Sequence, residues 1–408
     1  MNFWITLVIV LITYVGIAVG KWPKLSVNRT TLTVIGVGLL LAFRQIALEN
    51  IRDYLDVDTL ILLFSMMVVN AHLQLSGFFR VAAHLLFRLT RGPRVFLAVE
   101  ILLAGVLSAL FLNDTICLML TPLVLSLLLS LERNPVPYLI ALATAANIGS
   151  TATLTGNPQN MIIGVSSGIP YAQFAGALTP IALLGLGVVW VVLVLFYPQE
   201  FRENRFPDML PSQLNVLRPQ LTKTLLVITA MLVGFLAGIP VALAAFLAAC
   251  TLFFTRRVDP DKILAEVDWS LLVFFAALFI LTGALEANGI THRLFELLNF
   301  QGNLSVLGLT SVSVILSNLV SNVPAVMLLR PVVAGSAHPV AGWLTLAASS
   351  TLAGNLTLLG SVANLIVAEI ASRRQVNLTF GEYARSGVVI TIITLVISVV
   401  WLQWMVWH

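Results

Sequence analysis

Charge is what this sequence has least of: Asp, Glu, Lys and Arg make up 10% of its 408 residues, against 59% hydrophobic. Soluble domains carry roughly 25% charged residues, so water could not wet such a surface. The shortage excludes a soluble enzyme, a nucleic-acid binder and a disordered chain, and a mean hydropathy of +0.99 agrees. Cysteine is nearly absent as well. Cys117 and Cys250 both fall in apolar stretches, which leaves no disulfide framework and no thiolate metal cluster. The five histidines, at 72, 84, 292, 338 and 408, have no metal-ligand spacing, so neither metal nor cofactor is expected. No glycine-rich phosphate loop occurs, so ATP is not the expected energy source. Residues 1–20 lack a basic leader and a small-residue cleavage site and read as a retained span.

What is present is apolar chain in long blocks, such as 3–20, 178–196 and 388–407. Each is near the roughly 20 residues that a bilayer-spanning helix needs. Ten full spans are expected: about 3–20, 31–48, 57–77, 140–165, 178–197, 222–238, 240–255, 269–287, 344–370 and 387–406. Two further apolar stretches, about 95–130 and 303–333, are too long for one helix and are interrupted by polar residues near the middle. Each reads as a re-entrant hairpin that leaves on the side it entered.

The basic residues test that assumption. With the N-terminus outside, eighteen of the 22 Lys and Arg residues, from Lys21 to Arg385, fall on the cytoplasmic side. Only Arg52 and Arg293 fall outside, and Arg44 and Arg330 lie within apolar segments. This is a strong positive-inside bias, and counting either hairpin as a single crossing would destroy it. The expectation is a multi-pass protein of the cell inner (cytoplasmic) membrane, embedded in the lipid bilayer with both termini outside and with no nucleic-acid partner.

The two halves resemble each other. Val57-Asp58 matches Val267-Asp268, and Ser76-Gly77-Phe78 matches Asn288-Gly289-Ile290. Asn113 with Pro122 matches Asn322 with Pro331, and Gly156 with Asn160 matches Gly360 with Asn364. The expected fold class is an all-α polytopic membrane protein: an inverted repeat of five transmembrane helices plus one re-entrant hairpin each, with broken helices at the centre. The first repeat covers 1–200, a cytoplasmic linker 201–221 and the second repeat 222–408. Inverted repeats whose broken helices meet near the midplane are the signature of secondary transporters.

Four polar clusters mark the expected breaks. They are Leu112-Asn113-Asp114-Thr115, the stretch 147–160, the stretch 317–324 and the stretch 349–364. Non-helical backbone at membrane depth must be enclosed by protein or line a cavity. Gly and Pro let the helix open, while Asn, Ser and Thr supply neutral donors and acceptors beside exposed half-helix ends. The competing reading is interhelical packing by small and polar residues.

Asp114 stands out, because an ionised carboxylate at that depth costs about 2.5–3.5 kcal/mol or more. It is either a proton- or cation-coupling group or a carboxyl hydrogen-bonded within its own hairpin. Glu100 and Glu286 read as interfacial, as does Arg44. Arg330 either attracts an anion or snorkels outward, and snorkelling is the simpler expectation. Cys117, three residues after Asp114, is either a ligand for a soft metalloid or a small buried hydrophobe. Trp401, Trp404 and Trp407 read as an interfacial belt.

Several of these residues resemble a known group. Ser76-Gly77-Phe78-Phe79, then Ala109-Leu110-Phe111-Leu112-Asn113-Asp114 with Leu120-Thr121-Pro122, resemble the bacterial arsenite permease family. Gly360-Ser361 and Phe380-Gly381-Glu382-Tyr383-Ala384-Arg385-Ser386-Gly387 do so too. The wider group is the ion-transporter superfamily, with sodium/proton antiporters, citrate permeases and sodium-coupled dicarboxylate symporters. The dicarboxylate symporters carry Ser-Asn-Thr at each hairpin tip, where this chain has Leu112-Asn113-Asp114 and Ser321-Asn322-Val323. Thr155-Gly156-Asn157-Pro158-Gln159-Asn160 is similar instead to the anion-permease and citrate-transporter branches. The resemblance implies a scaffold domain, a transport domain holding both hairpins, a homodimer with elevator-type motion and, for an arsenite-type member, a soluble ATPase subunit as partner.

The expected site draws on both hairpin tips and both broken helices. Its solute-binding residues would be Asn113, Thr115, Asn147, Ser150, Thr151, Gly156, Asn157, Asn160, Ser321, Asn322, Asn355, Thr357, Gly360, Ser361 and Asn364, with Asp114 as the ion-coupling group. One acid, many neutral polar groups and no certain base suit a small neutral or singly charged solute better than a polyanion. Proton-coupled efflux of arsenite or antimonite is the leading expectation. Proton- or sodium-coupled transport of an inorganic anion, citrate or a dicarboxylate comes second, and sodium/proton antiport third.

Overall fold

The computed structural model describes residues 2–19, 27–89, 92–202, 218–254, 258–290, 293 and 305–407. Several basic residues used above (Lys21, Lys24, Arg91, Arg205, Arg256, Arg257) and most of the 201–221 linker lie outside the described residues. Among those described there is helix and no strand, as a chain surrounded by lipid requires: a helix satisfies its backbone groups internally.

The first half contains α1 (Phe3–Val19), α2 (Arg29–Ala42), α3 (Val57–Ser76), α4 (Phe78–Leu89), α5 (Pro93–Leu110), α6 (Asn113–Ser130), α7 (Val136–Ser150), α8 (Pro158–Ser167) and α9 (Tyr171–Phe196). The second contains α10 (Arg218–Leu236), α11 (Val241–Phe253), α12 (Trp269–Ala287), α13 (Val306–Val320), α14 (Asn322–Ala334), α15 (Pro339–Ala353), α16 (Val362–Arg373) and α17 (Phe380–Trp407). Seven described helices are long and apolar enough to cross a membrane, and six shorter ones are also apolar. Large apolar side chains cover the outside; Leu195 is 69% exposed and Leu226 is 66% exposed. That surface suits lipid.

The spans expected over 140–165 and 344–370 are each two half-helices, α7 with α8 and α15 with α16, separated by chain that leaves the α-helical path and, in the second, includes one 3-10 turn at Leu358–Gly360. The hairpins are α5 with α6 and α13 with α14. Helix α4 falls where no element was expected. Arg80 and His84 lie four residues apart along it, on one face, as in an interfacial amphipathic helix.

Packing repeats between the halves. Helix α5 packs on α7 as α13 packs on α15, and α9 packs on α7 as α17 packs on α15. The cross-contacts correspond as well: α3 lies on α11 and α12 on α2, while α6 lies on α16 and α14 on α8. Each hairpin therefore leans its second arm on the broken helix of the other half. Helices α5 and α7 approach so closely that a side chain at Gly149 would collide with the backbone of Gly105.

That tight seam overturns one expectation. Glu100 is not interfacial: it is fully buried in α5, and neither carboxyl oxygen has a hydrogen-bond partner. Close approach of the small-residue faces of α5 and α7 carries the side chain inward with its helix. Arg330 does not simply snorkel either, since it pairs with Asp56 at 3.6 Å. Glu286 and Arg44 are exposed, as expected of interfacial groups. Trp401 donates from its indole nitrogen to the Ala177 carbonyl at 2.9 Å.

Candidate functional site

The hairpin tips come first. Helix α5 ends at Phe111, whose backbone is extended, and Asn113 starts α6. The Asn113 backbone N–H has no helical partner at this position and donates to the Gly156 carbonyl at 3.0 Å. The second tip is narrower still. Ser321 alone separates α13 from α14, at φ 85° and ψ 158°. Glycine tolerates that region and a serine pays about 1–3 kcal/mol to hold it, so surrounding structure must enforce it. Pro122 and Pro331 then lie inside α6 and α14.

The broken helices need substitutes for lost backbone bonds, because half-helix ends leave carbonyls and amides unpaired. Asn160 supplies them in the first half, donating to the carbonyls of Ser150 at 3.1 Å and Thr153 at 3.0 Å. Asn364 does the same in the second, to Gly354 at 2.8 Å and Thr357 at 3.1 Å. The following half-helices are capped by Asn157, which accepts from the Asn160 N–H, and by Ser361, which accepts from the Ala363 N–H. The chain folds back so closely that a Cβ on Gly156 would meet the Ser150 backbone.

Asn147 ties these parts together. Its amide nitrogen donates to Asn355 at 2.8 Å and Asn364 at 3.0 Å. Its amide oxygen accepts from Asn113 at 3.0 Å and from the Ser361 hydroxyl at 3.0 Å. An asparagine has two donors and two acceptor positions, and Asn147 uses all four to join one hairpin tip to both broken helices.

Beside this network lies a cavity of about 210 Å³. By the roughly 30 Å³ that one liquid water takes up, it is a space for a small polar solute. Asn113, Asp114, Ser321, Asn322 and Ser361 line it, together with Gln159. Asn113 is 5% exposed, and its amide oxygen has no partner; the amide oxygen of Asn322 has none either. Both oxygens are buried away from that space and unsatisfied, which is costly.

The other expected residues lie behind the cavity wall. Asn147 bonds Asn355 and Asn364, and Asn160 and Asn364 donate to helix-end carbonyls. Ser150 and Thr151 donate to the Asn147 carbonyl, and Asn157 donates to Ser150 and Thr351. Gly156 and Thr357 contribute backbone carbonyls, and Gly360 a tight turn. Thr115 faces away, accepting from Asn70 of α3 at 3.3 Å. Cys117 is completely buried and does not line the cavity, which removes the metalloid-ligand reading in this conformation. No group of three His, Cys, Asp or Glu that could hold a metal ion occurs among the described residues.

Four polar residues of the cavity wall, Arg29, Thr30, Asp268 and Ser270, were not anticipated. Arg29 opens α2, Asp268 caps α12 through the Leu271 N–H at 2.9 Å, and Thr30 bonds Ser270 between those two helices at 2.8 Å. The expectation of one acid and no base is therefore corrected: the wall carries two carboxylates, Asp114 and Asp268, and one guanidinium. Arg29 was hidden in a basic run read as a loop. Asp268 was visible in the internal repeat, paired there with Asp58, although Asp56 is the residue that caps α3 in the same way.

Comparison with known proteins agrees with this architecture. The citrate transporter (CitMHS) family matches residues 8–353. The chain is 31% identical to the silicon efflux transporter LSI3 of Oryza sativa subsp. japonica, over 91% of each chain. It is 29% identical to a 46 kDa membrane protein of Mycobacterium leprae over 95% of each, and 27% identical to the arsenical pump membrane protein of Escherichia coli K12, over 80% of this chain and 82% of that one. In fold it is similar to the Alcanivorax borkumensis YdaH transporter, with a TM-score of 0.62 at 17% identity over 99% of this chain and 97% of that one. A polytopic helical chain with two hairpins, two broken helices and a cavity between them, matched over most of its length, belongs to the citrate transporter (CitMHS) family of membrane transporters.

Proposed function

We propose that the protein is a secondary transporter that exports a small, weakly acidic hydroxide such as arsenous or antimonous acid in exchange for protons. The observation that carries this reading is the placement of Asp114 at a hairpin tip, in a cavity lined also by the neutral polar residues Asn113, Gln159, Ser321, Asn322 and Ser361. A carboxyl in that position can hold a proton while the solute is absent and release it as the solute arrives. Neutral polar groups suit the O–H groups of a neutral hydroxide. Two carboxylates against one guanidinium make the wall a poor host for a polyanion, since like charges in a desolvated space repel strongly. The relatives named for silicon efflux and as an arsenical pump membrane protein support this class of solute.

A second reading has its own support. The family is described by citrate, and Arg29 offers a cation on the cavity wall, so proton- or sodium-coupled anion transport is the alternative. Sodium/proton antiport at Asp114 is a third. In each case the working arrangement would be an inverted repeat with termini outside the inner membrane, a scaffold and a moving hairpin domain, and a homodimer. An arsenite-type protein would further accept a soluble ATPase subunit.

Vesicle uptake with arsenite, sulfate, phosphate, citrate and succinate, under imposed proton and sodium gradients, tests the proposal. Arsenite movement that follows the proton gradient is the expected result. Accumulation of citrate or sulfate in place of arsenite would replace it with the anion reading. Flux indifferent to both gradients and far faster than a transport cycle would indicate a channel instead.

A further inference from the structure

Arg29 is the residue whose position the proposed reading does not yet use. It starts α2, which packs on α12, and it lines the cavity with Asp114 of the hairpin and Asp268 of α12. It is only partly exposed, and among the described residues it makes no ion pair and no side-chain hydrogen bond. Arg330, the other arginine expected at depth, is by contrast paired with Asp56. A half-buried guanidinium with five N–H donors and no acceptor is an open binding group. The same small space is lined by acceptors, the Asp114 and Asp268 carboxylates.

We propose that Arg29 is the solute-selecting residue of this cavity, donating to an oxygen of a small oxyacid whose O–H groups are accepted by the carboxyl groups of Asp114 and Asp268. The proposal rests on the reading of the cavity as the solute site and names the chemistry that the solute must have. It must present an oxygen acceptor and O–H donors at once. A hydrated metal cation would meet Arg29 unfavourably, and a solute without hydroxyls would offer the carboxyl groups of Asp114 and Asp268 no donor. Selection of this kind needs the planar fork of arginine, which lysine lacks.

The test uses the full chain in proteoliposomes with an imposed proton gradient and two probes, arsenite and citrate, on wild type, Arg29→Gln and Arg29→Lys. In Arg29→Gln we expect KM for arsenite to rise about tenfold or more, the loss of one charged hydrogen bond. The maximal rate should stay within about twofold, with Arg29→Lys in between. Thermal unfolding of the purified variants checks that they fold, and the lysine variant, which keeps the charge, carries the test if the glutamine variant does not. An unchanged KM in a protein that carries arsenite overturns the role of Arg29 and leaves the function standing. A wild type that carries citrate alone, with a KM that still depends on Arg29, overturns the hydroxide reading and leaves an oxygen-selecting Arg29. A wild type that moves neither probe overturns both.

Discussion

Asn160 and Asn364 make the same pair of hydrogen bonds in the two halves of the chain, each donating to the carbonyls ten and seven residues before it. The repeat is thus one of function within the fold as well as of letters. In both places an amide replaces the backbone N–H groups that a continuous helix would have supplied.

Replacing Asn160 by leucine strands the Thr153 carbonyl and replacing Asn364 strands that of Gly354, whereas Ser150 keeps a bond from Asn157 and Thr357 one from the Gly360 N–H. Each unsatisfied group costs about 1–3 kcal/mol, so Asn160→Leu and Asn364→Leu should each destabilise by about that amount. Thermal unfolding in detergent reads this directly. Melting points close to wild type would mean that other donors close the gaps.

Ser321 holds a backbone conformation that suits glycine. Removing the Cβ should relieve most of a strain of about 1–3 kcal/mol, partly offset by the greater freedom of glycine in the unfolded chain. Ser321→Gly is therefore expected to raise the melting point by a few degrees, and Ser321→Val to lower it. A lower melting point in the glycine variant would show that the hydroxyl, not the backbone, matters at the tip.

Asp114→Asn keeps size and polarity and removes the proton. Accumulation driven by a proton gradient should vanish, while the variant inserts normally and still exchanges solute across the membrane with no gradient. If the variant concentrates solute as well as wild type does, the coupling carboxyl lies elsewhere.

Glu100 is a buried acid without a partner for either oxygen. Exchange for a residue that needs none should stabilise the α5–α7 seam, and Glu100→Leu is expected to gain about 1–3 kcal/mol. Destabilisation on chemical unfolding would reveal an internal water or an unseen partner at the carboxyl.

Much of this was legible in the order of residues. Blocks of about 20 apolar residues lead to membrane helices because only a helix satisfies its backbone in lipid. Asn113 with Pro122 and Asn322 with Pro331 mark both hairpins, since a polar residue followed by proline in an apolar run signals an opened helix. The positions of Asn113, Asp114, Ser321, Asn322 and Ser361 on the cavity wall agree with that reading. Sequence patterns of this sort follow from local chemistry, and local chemistry is written along the chain.

The direction in which each polar group points was decided elsewhere. Asn147, Asn355 and Asn364 carry the same amide as Asn113, yet they bind one another and leave the cavity to it, because the two broken helices cross where those three meet. Arg29 and Asp268 look like a loop cation and a helix cap until α2 and α12 pack together and bring both to the space beside Asp114. Glu100 looks interfacial until Gly105 and Gly149 let two helices close over it. The sequence determined that this chain spans a membrane, where its helices break and which residues are polar enough to matter. Only the packing of one half against the other decided which of those residues face a solute and which hold the fold, because that depends on contacts between residues about two hundred positions apart.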